Sequence, residues 1–228
     1  MKEDRIVIKL GGFIFSPKPQ LDKLLDYKET LLRLKREYGM VVIAGGGENA
    51  RTYIEAARRM GADETFCDEL GIKASRLNAE LVISCLGEEA YPLVPIDLDE
   101  LKTASQTDRI IVAGGMFPAQ STDAVSAVVA ELIGAKMLVK ATDVGGVYTS
   151  DPKKDDKARK LDTISVNQLK EMLFRRSSRA GEYELIDLQA LRIIERSKIP
   201  TVILDGRDPK NIEKAVKGYK IGTRIVFE

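Results

Sequence analysis

Lys9 is followed by Leu10, Gly11 and Gly12, an order that points an ammonium toward whatever the two glycine amides bind. Lysine is a compact positive charge suited to phosphate, although a lysine at a strand edge can also snorkel to solvent. Further along, Gly45, Gly46 and Gly47 lead through Glu48, Asn49 and Ala50 to Arg51. Three glycine amides at a helix start make an anion site, and a guanidinium one turn inside that helix could clamp a phosphate with two parallel hydrogen bonds. A tight turn carrying a surface arginine is the plainer alternative. The pattern G-x-x-x-x-G-K-[ST] is absent, so neither stretch is a Walker-type phosphate loop.

Two more stretches have the same form. Gly114-Gly115 opens the run Met116, Phe117, Pro118, Ala119, Gln120, Ser121, Thr122 and Asp123. Phe117 and Pro118 can wall a base, while Gln120, Ser121 and Thr122 offer short polar contacts. Ser121 or Thr122 as an N-cap with Asp123 in the first turn is also what an ordinary helix start favours. The last stretch runs from Lys140 through Thr142, Asp143, Gly145 and Gly146 to Tyr148 and Asp151. Tyr148 could stack on a purine and Asp151 could accept a hydrogen bond from a ribose or base; a turn-rich loop explains the composition equally well.

Each of these glycine clusters closes a short apolar run, at residues 6–10, 41–44, 110–113 and 137–144. The first three are β-branched-rich and read as buried strands. Between and after them the spacing predicts helices over 21–38, 48–60, 68–86, 123–133, 165–173, 184–196 and 209–217, with Leu70, Ala74, Leu77 and Leu81 sharing a face of the third. Strands are expected over 40–44, 109–113, 136–141, 200–204 and 221–227. Alternation of this kind predicts an α/β fold: a three-layer αβα sandwich with a mainly parallel central sheet. Glycines at strand ends followed by helices are how such a sheet builds a phosphate site above its strands. The polar segment 149–162 is the candidate for a flap, a lobe boundary or an exposed charged loop.

Composition narrows the function classes. The chain has 228 residues, 44% hydrophobic and 31% charged, with a net charge of +1. That size fits one substantial domain or two closely joined lobes. No global positive field is available to attract nucleic acid. No apolar stretch approaches the roughly 18 residues a membrane helix needs, and no signal-peptide pattern is seen at the start, so the expectation is a cytoplasmic protein without a membrane partner. Cys67 and Cys85 are the only cysteines and there is no histidine, which argues against a disulfide framework, a metal-ligating cluster or imidazole catalysis. Residues 175–179 form the one dense basic cluster, either a solvated loop or a contact to phosphates or a neighbouring subunit.

With these segments on the page, the sequence resembles the amino acid kinase superfamily over essentially its whole length. It is most similar to the archaeal branch of uridylate (UMP) kinases. The motifs that carry this are Lys9–Gly12, Gly45–Gly47 with Arg51, Asp68 with Gly71, the 114–123 run, residues 141–152 and the stretch 180–187. The resemblance implies one amino acid kinase domain over 1–228, with an acceptor-binding lobe about 1–135 and an ATP-binding lobe about 136–228. It implies transfer of the γ-phosphoryl group of ATP to UMP, with Mg²⁺ held chiefly by ATP oxygens and water. Lys9 and Asp123 would be catalytic. Lys9, Leu10, Gly11, Gly12, Phe13, Gly47, Arg51, Thr142, Asp143, Tyr148 and Asp151 would hold ATP. Gly46, Asp68, Met116, Phe117, Pro118, Ala119, Gln120, Ser121 and Thr122 would hold UMP. A homohexamer built as a trimer of dimers, and UTP as feedback inhibitor, are further implications. One departure stands out: the family commonly has Val-Asp-Gly-Val where this chain has Val144-Gly145-Gly146-Val147. The absence of histidine argues against an isopentenyl phosphate kinase. The acceptor loop is unlike those of N-acetylglutamate kinase, aspartokinase and carbamate kinase, and a non-catalytic nucleotide- or oxyanion-binding relative is the remaining alternative.

Overall fold

A computed structural model describes residues 2–15, 17–152, 154–177 and 185–227, with 175–177 described by their backbone alone. The β-branched runs do form strands: β1 (Arg5–Leu10), β2 (Gly39–Ala44), β3 (Ile111–Ala113), β4 (Met137–Thr142), β5 (Thr163–Ser165), β6 (Thr201–Asp205) and β7 (Thr223–Val226). They make one seven-stranded sheet in the order β3-β2-β1-β4-β6-β7-β5. Every pairing is parallel except β6 with β7.

Helices cover both faces. They are α1 (Leu21–Lys35), α2 (Gly47–Arg59), α3 (Glu64–Leu86), α4 (Leu98–Ala104), α5 (Thr122–Leu132), α6 (Val166–Ser177), α7 (Leu188–Ser197) and α8 (Lys210–Val216). Strand alternation divides the core between the two faces. Ile6, Ile8 and Leu10 of β1 meet α1, α3 and α8, while Val7 lies with residues of α4, α5, α6 and α7 on the other side. This is the expected three-layer sandwich. Each fully buried Ile or Leu in it contributes about 2 kcal/mol from area removed from water.

Differences from the sequence expectations are local. Helix α4 and strand β5 were not anticipated; α4 spans seven residues and β5 three, too short to show periodicity. Helix α1 ends at Lys35, short of 38, and α3 begins at Glu64 because Asp63 accepts a hydrogen bond from the Phe66 amide and caps it there. The apolar face expected on α3 is not the buried one. Leu77 is 67% exposed, while Cys67, Ser75, Asn78, Ala79, Val82 and Leu86 face inward. The 149–162 segment has its two ends tied together: the Thr149 amide donates to the Arg159 carbonyl at 3.0 Å and the Leu161 amide to the Val147 carbonyl at 2.8 Å. The helix expected over 184–196 is seen as α7, whereas residues 178–184, and with them parts of the 175–179 cluster and the 180–187 stretch, lie outside the described residues.

The sheet order has one topological consequence. The chain leaves β1 toward β2 and β3 and then returns to place β4 on the other side of β1. Such a switch point leaves a crevice above the carboxyl ends of the two strands, where α/β sheets bind ligands.

Candidate active site

Register builds the centre of this crevice. Lys9 of β1 and Lys140 of β4 are Cα partners in the parallel ladder, so their side chains project side by side from the same face. Both are nearly buried, with 9% and 7% of their surface exposed. Two adjacent buried ammonium groups require a counter-charge. Asp123 supplies it from the first turn of α5: Oδ1 lies 3.3 Å from Lys9 Nζ, and Oδ2 accepts a hydrogen bond from Lys140.

The electrostatics follow from that arrangement. Burial pushes the Asp123 carboxyl up, but the charges of Lys140 and Lys9 outweigh it and hold the group below the usual carboxylate range. Burial pushes the Lys140 ammonium down, Asp123 opposes this, Lys9 adds to it, and the balance lies at about 8. One carboxylate between two ammoniums leaves a net positive centre ready for an anion.

Glycine loops close around that centre. The cavity has a volume of about 640 Å³ and is lined by Lys9, Gly11, Gly12, Phe13, Gly45, Gly46, Gly47, Glu48, Arg51, Thr122, Asp123, Lys140, Ala141, Thr142, Asp143 and Leu185. The N-terminus of α2 opens onto it at Gly47, adding helix-end amides to the positive field. The first two glycine clusters are packed on each other. A Cβ on Gly12 would stand 2.2 Å from the Gly47 Cα, so a side chain there is sterically impossible without moving backbone. Behind them Asn78 of α3, itself buried, donates from Nδ2 to the Gly45 carbonyl at 2.8 Å and the Gly46 carbonyl at 3.3 Å.

The third cluster departs from the expected use of glycine. Gly114 lies on helix α3, where its Cβ would meet the Arg76 amide nitrogen at 2.7 Å. Close approach here is to protein. Of the residues that follow, through Asp123, only Thr122 and Asp123 line the cavity: Met116 is buried in the core, Phe117 is 38% exposed, and Asp68 Oδ2 accepts from the Ala119 amide at 2.7 Å. Ser121 is the N-cap of α5, with Oγ accepting from the Asp123 and Ala124 amides at 3.0 and 3.1 Å and donating to Asp187. Its hydroxyl is committed to the fold.

Of the residues singled out from sequence, Lys9, Gly11, Gly12, Phe13, Gly46, Gly47, Arg51, Thr122, Asp123, Thr142 and Asp143 are brought together at the cavity. Asp68, Met116, Phe117, Pro118, Ala119, Gln120, Ser121, Tyr148 and Asp151 do not line it. The Leu10 side chain points into the apolar core on the opposite face, and its carbonyl accepts from the Gly45 amide at 3.0 Å. Gly145, the departure noted above, leaves room for a neighbour: a Cβ there would lie 2.8 Å from the Tyr148 hydroxyl. Sequence reasoning missed Lys140, Asn78 and Arg76 as site residues. Lys140 carried a signal, a charged residue inside an apolar strand that runs on into a glycine turn at Gly145-Gly146.

A doubly wound α/β fold with paired lysines, a bridging aspartate and glycine loops at its switch point defines a phosphate-handling protein. The chain belongs to the amino acid kinase family, which matches residues 4–205. It is 45% identical over 221 residues to a uridylate kinase of Archaeoglobus fulgidus, covering 97% of this chain and 99% of that protein. It is also 45% identical over 227 residues to a uridylate kinase of Hyperthermus butylicus, covering 99% of each. The crystal structure of the Archaeoglobus fulgidus uridylate kinase superposes with a TM-score of 0.86 at 43% identity, covering 97% of this chain and 100% of that one. A UMP kinase from Ureaplasma parvum, 22% identical, shares the fold with a TM-score of 0.81 over 99% of each chain.

Proposed function

We propose that this protein is a uridylate kinase, a nucleoside monophosphate kinase that transfers the γ-phosphoryl group of ATP to the phosphate of UMP, giving UDP and ADP. The observation that carries the reading is the Lys9–Asp123–Lys140 cluster at the floor of a glycine-lined cavity, in a chain that matches uridylate kinases over nearly all of its length.

The chemistry asks for what this cavity supplies. The attacking oxygen belongs to a phosphate monoester that is already ionised, so no strong general base is needed. That oxygen bonds to the γ-phosphorus as the bond to the β,γ-bridging oxygen breaks, and charge gathers on the transferring group. Lys9 and Lys140 stand ready to neutralise it, and Asp123 keeps the two ammoniums from separating. The Gly11 amide is spent on the Ala141 carbonyl at 2.9 Å, while the amides of Gly12, Gly46 and Gly47, the α2 N-terminus and Arg51 add fixed donors around the same space. Thr142, Asp143, Tyr148 and Asp151 are assigned to ATP, and Asp68 with residues 116–122 to UMP. No cluster of three or more Cys, Asp or Glu able to cage a metal occurs among the described residues, and Asp123 is engaged by lysines. This donor set suits a Mg²⁺ held mainly by triphosphate oxygens and water, where it would offset phosphate charge.

The homohexamer, inhibition by UTP and a place in pyrimidine nucleotide synthesis complete the reading, and light scattering tests the first of them, a mass of six chains being expected. No helix among the described residues is long and apolar enough to cross a membrane. The decisive experiment is a coupled ADP-release assay with UMP, CMP and dUMP as acceptors. Rapid turnover with UMP is expected; nucleotide binding without turnover of UMP would overturn the kinase reading.

A further inference from the structure

The acceptor loop after β3 turns at Pro118 and Ala119 and is tied to the rest of the molecule from outside. Ala119 has φ 58°, in the left-handed region, which is strained for a residue with a Cβ. Gly114 and Gly115 lie flat on α3 and contribute no side chain. Such a loop stays in one conformation only if its surroundings over-determine it.

Helix α3 provides that restraint. Ser75 Oγ accepts from the Gly115 amide at 2.8 Å while donating to the Ile72 carbonyl at 2.7 Å. Arg76 does more. Its Nε donates to the Gly115 carbonyl at 2.9 Å, and Nη2 reaches the Ile96 carbonyl at 3.1 Å and the Met116 carbonyl at 3.5 Å. One guanidinium thus joins α3, the loop and the segment before α4. Among the described residues no carboxylate forms an ion pair with it, and its hydrogen bonds go to carbonyls; carboxylates bind the same segments, Asp68 at the Ala119 amide and Glu100 at the Ile96 amide.

We propose that Arg76 is a positioning residue for the acceptor: its planar fork holds the 114–119 loop in the shape that receives the nucleotide, and its charge, in no ion pair among the described residues, favours an anionic acceptor there. This rests on the uridylate kinase reading for the identity of that acceptor, a nucleoside monophosphate. A lysine could keep the charge but could not span three carbonyls from one rigid plane. Arg76 therefore acts on binding of one substrate and leaves the phosphoryl centre, built on β1, β4 and α5, unchanged.

The test uses the full chain with Arg76→Met and Arg76→Lys, each checked for a cooperative thermal transition. In steady-state kinetics Arg76→Met is expected to raise KM for UMP roughly tenfold or more, the worth of a lost charge-assisted hydrogen bond, with kcat and KM for ATP close to wild type. Arg76→Lys should recover the salt dependence of KM for UMP but only part of the affinity. In nucleotide-free protein the backbone amides of residues 115–117, 119 and 120 should exchange faster in both variants, with the core of α3 unchanged. Equal rises in KM for both nucleotides, or loop exchange identical to wild type in Arg76→Met, would overturn the proposal. Failure of the wild-type protein to phosphorylate UMP would instead overturn the kinase reading, and loop exchange would then decide the role of Arg76.

Discussion

Lys140 shares one carboxylate with Lys9 while almost fully buried, and this sets a pH limit on the reaction. Burial lowers its ammonium to about 8, so the free enzyme loses that proton as pH rises through this value. Phosphoryl transfer needs the charged form, and kcat/KM for ATP is therefore expected to fall above about pH 8, since that parameter reports the unliganded protein. Bound triphosphate favours the ammonium, which moves the corresponding limb of kcat to higher pH. A profile flat through the alkaline range would remove Lys140 from the transfer; Lys140→Arg, permanently charged, should abolish the limb. Lys9→Ala is expected to lower kcat roughly a hundredfold or more, as loss of one preorganised donor does. Asp123 stays compensated by Lys140 in that variant, so circular dichroism should report an intact fold. Near-normal turnover would show that Lys9 is not part of the machinery.

At the scale of elements, the two glycine loops after β1 and β2 act as one unit. Gly12→Ala would drive a methyl against the Gly47 backbone, pushing the β1 loop away from the α2 N-terminus. Activity should fall far more than in Gly61→Ala, where an added Cβ has nothing within 4 Å and the cost is the strain of a positive φ alone; ADP release from the two variants makes the comparison. The strands and loops that hold the phosphate site were legible because their evidence is local. Continuous apolar runs mark β1 and β2, and glycine clusters mark where they end. Lys140 was quoted with its loop but given no task, because its meaning comes from register with a strand 130 or so positions earlier, a relation that no local spacing displays. Helix α3 misled for a related reason. Ser75 and Asn78 look like solvent residues by type, yet they turn inward to meet backbone groups of two loops, and Leu77 is left outside. Polar side chains that serve a neighbouring loop are invisible to hydrophobic periodicity.

For the molecule as a whole, Asp123 ties together β1, β4 and α5, so its charge bears on stability as well as chemistry. Because its folded pKa is held below the ordinary carboxylate value, its contribution is fully present above about pH 4 and is lost as pH falls through the lower folded value. Asp123→Asn leaves two buried ammoniums uncompensated and should cost about 3 kcal/mol in urea unfolding at neutral pH. The gap from wild type should narrow in acid; a pH-independent gap would point to lost packing. The same cluster bears on how the sheet assembles. If β4 were to pair with β1 one residue out of step, every side chain of β4 would change faces, and Lys140 would be thrust among Ile8, Leu10 and Val202 under α1 and α8, on the opposite face of the sheet from Asp123. A chain rich in interchangeable valines and isoleucines has little else to tell one alignment from the next. The lysines that handle phosphate would thus also proofread folding, penalising a mispaired sheet before the active site exists.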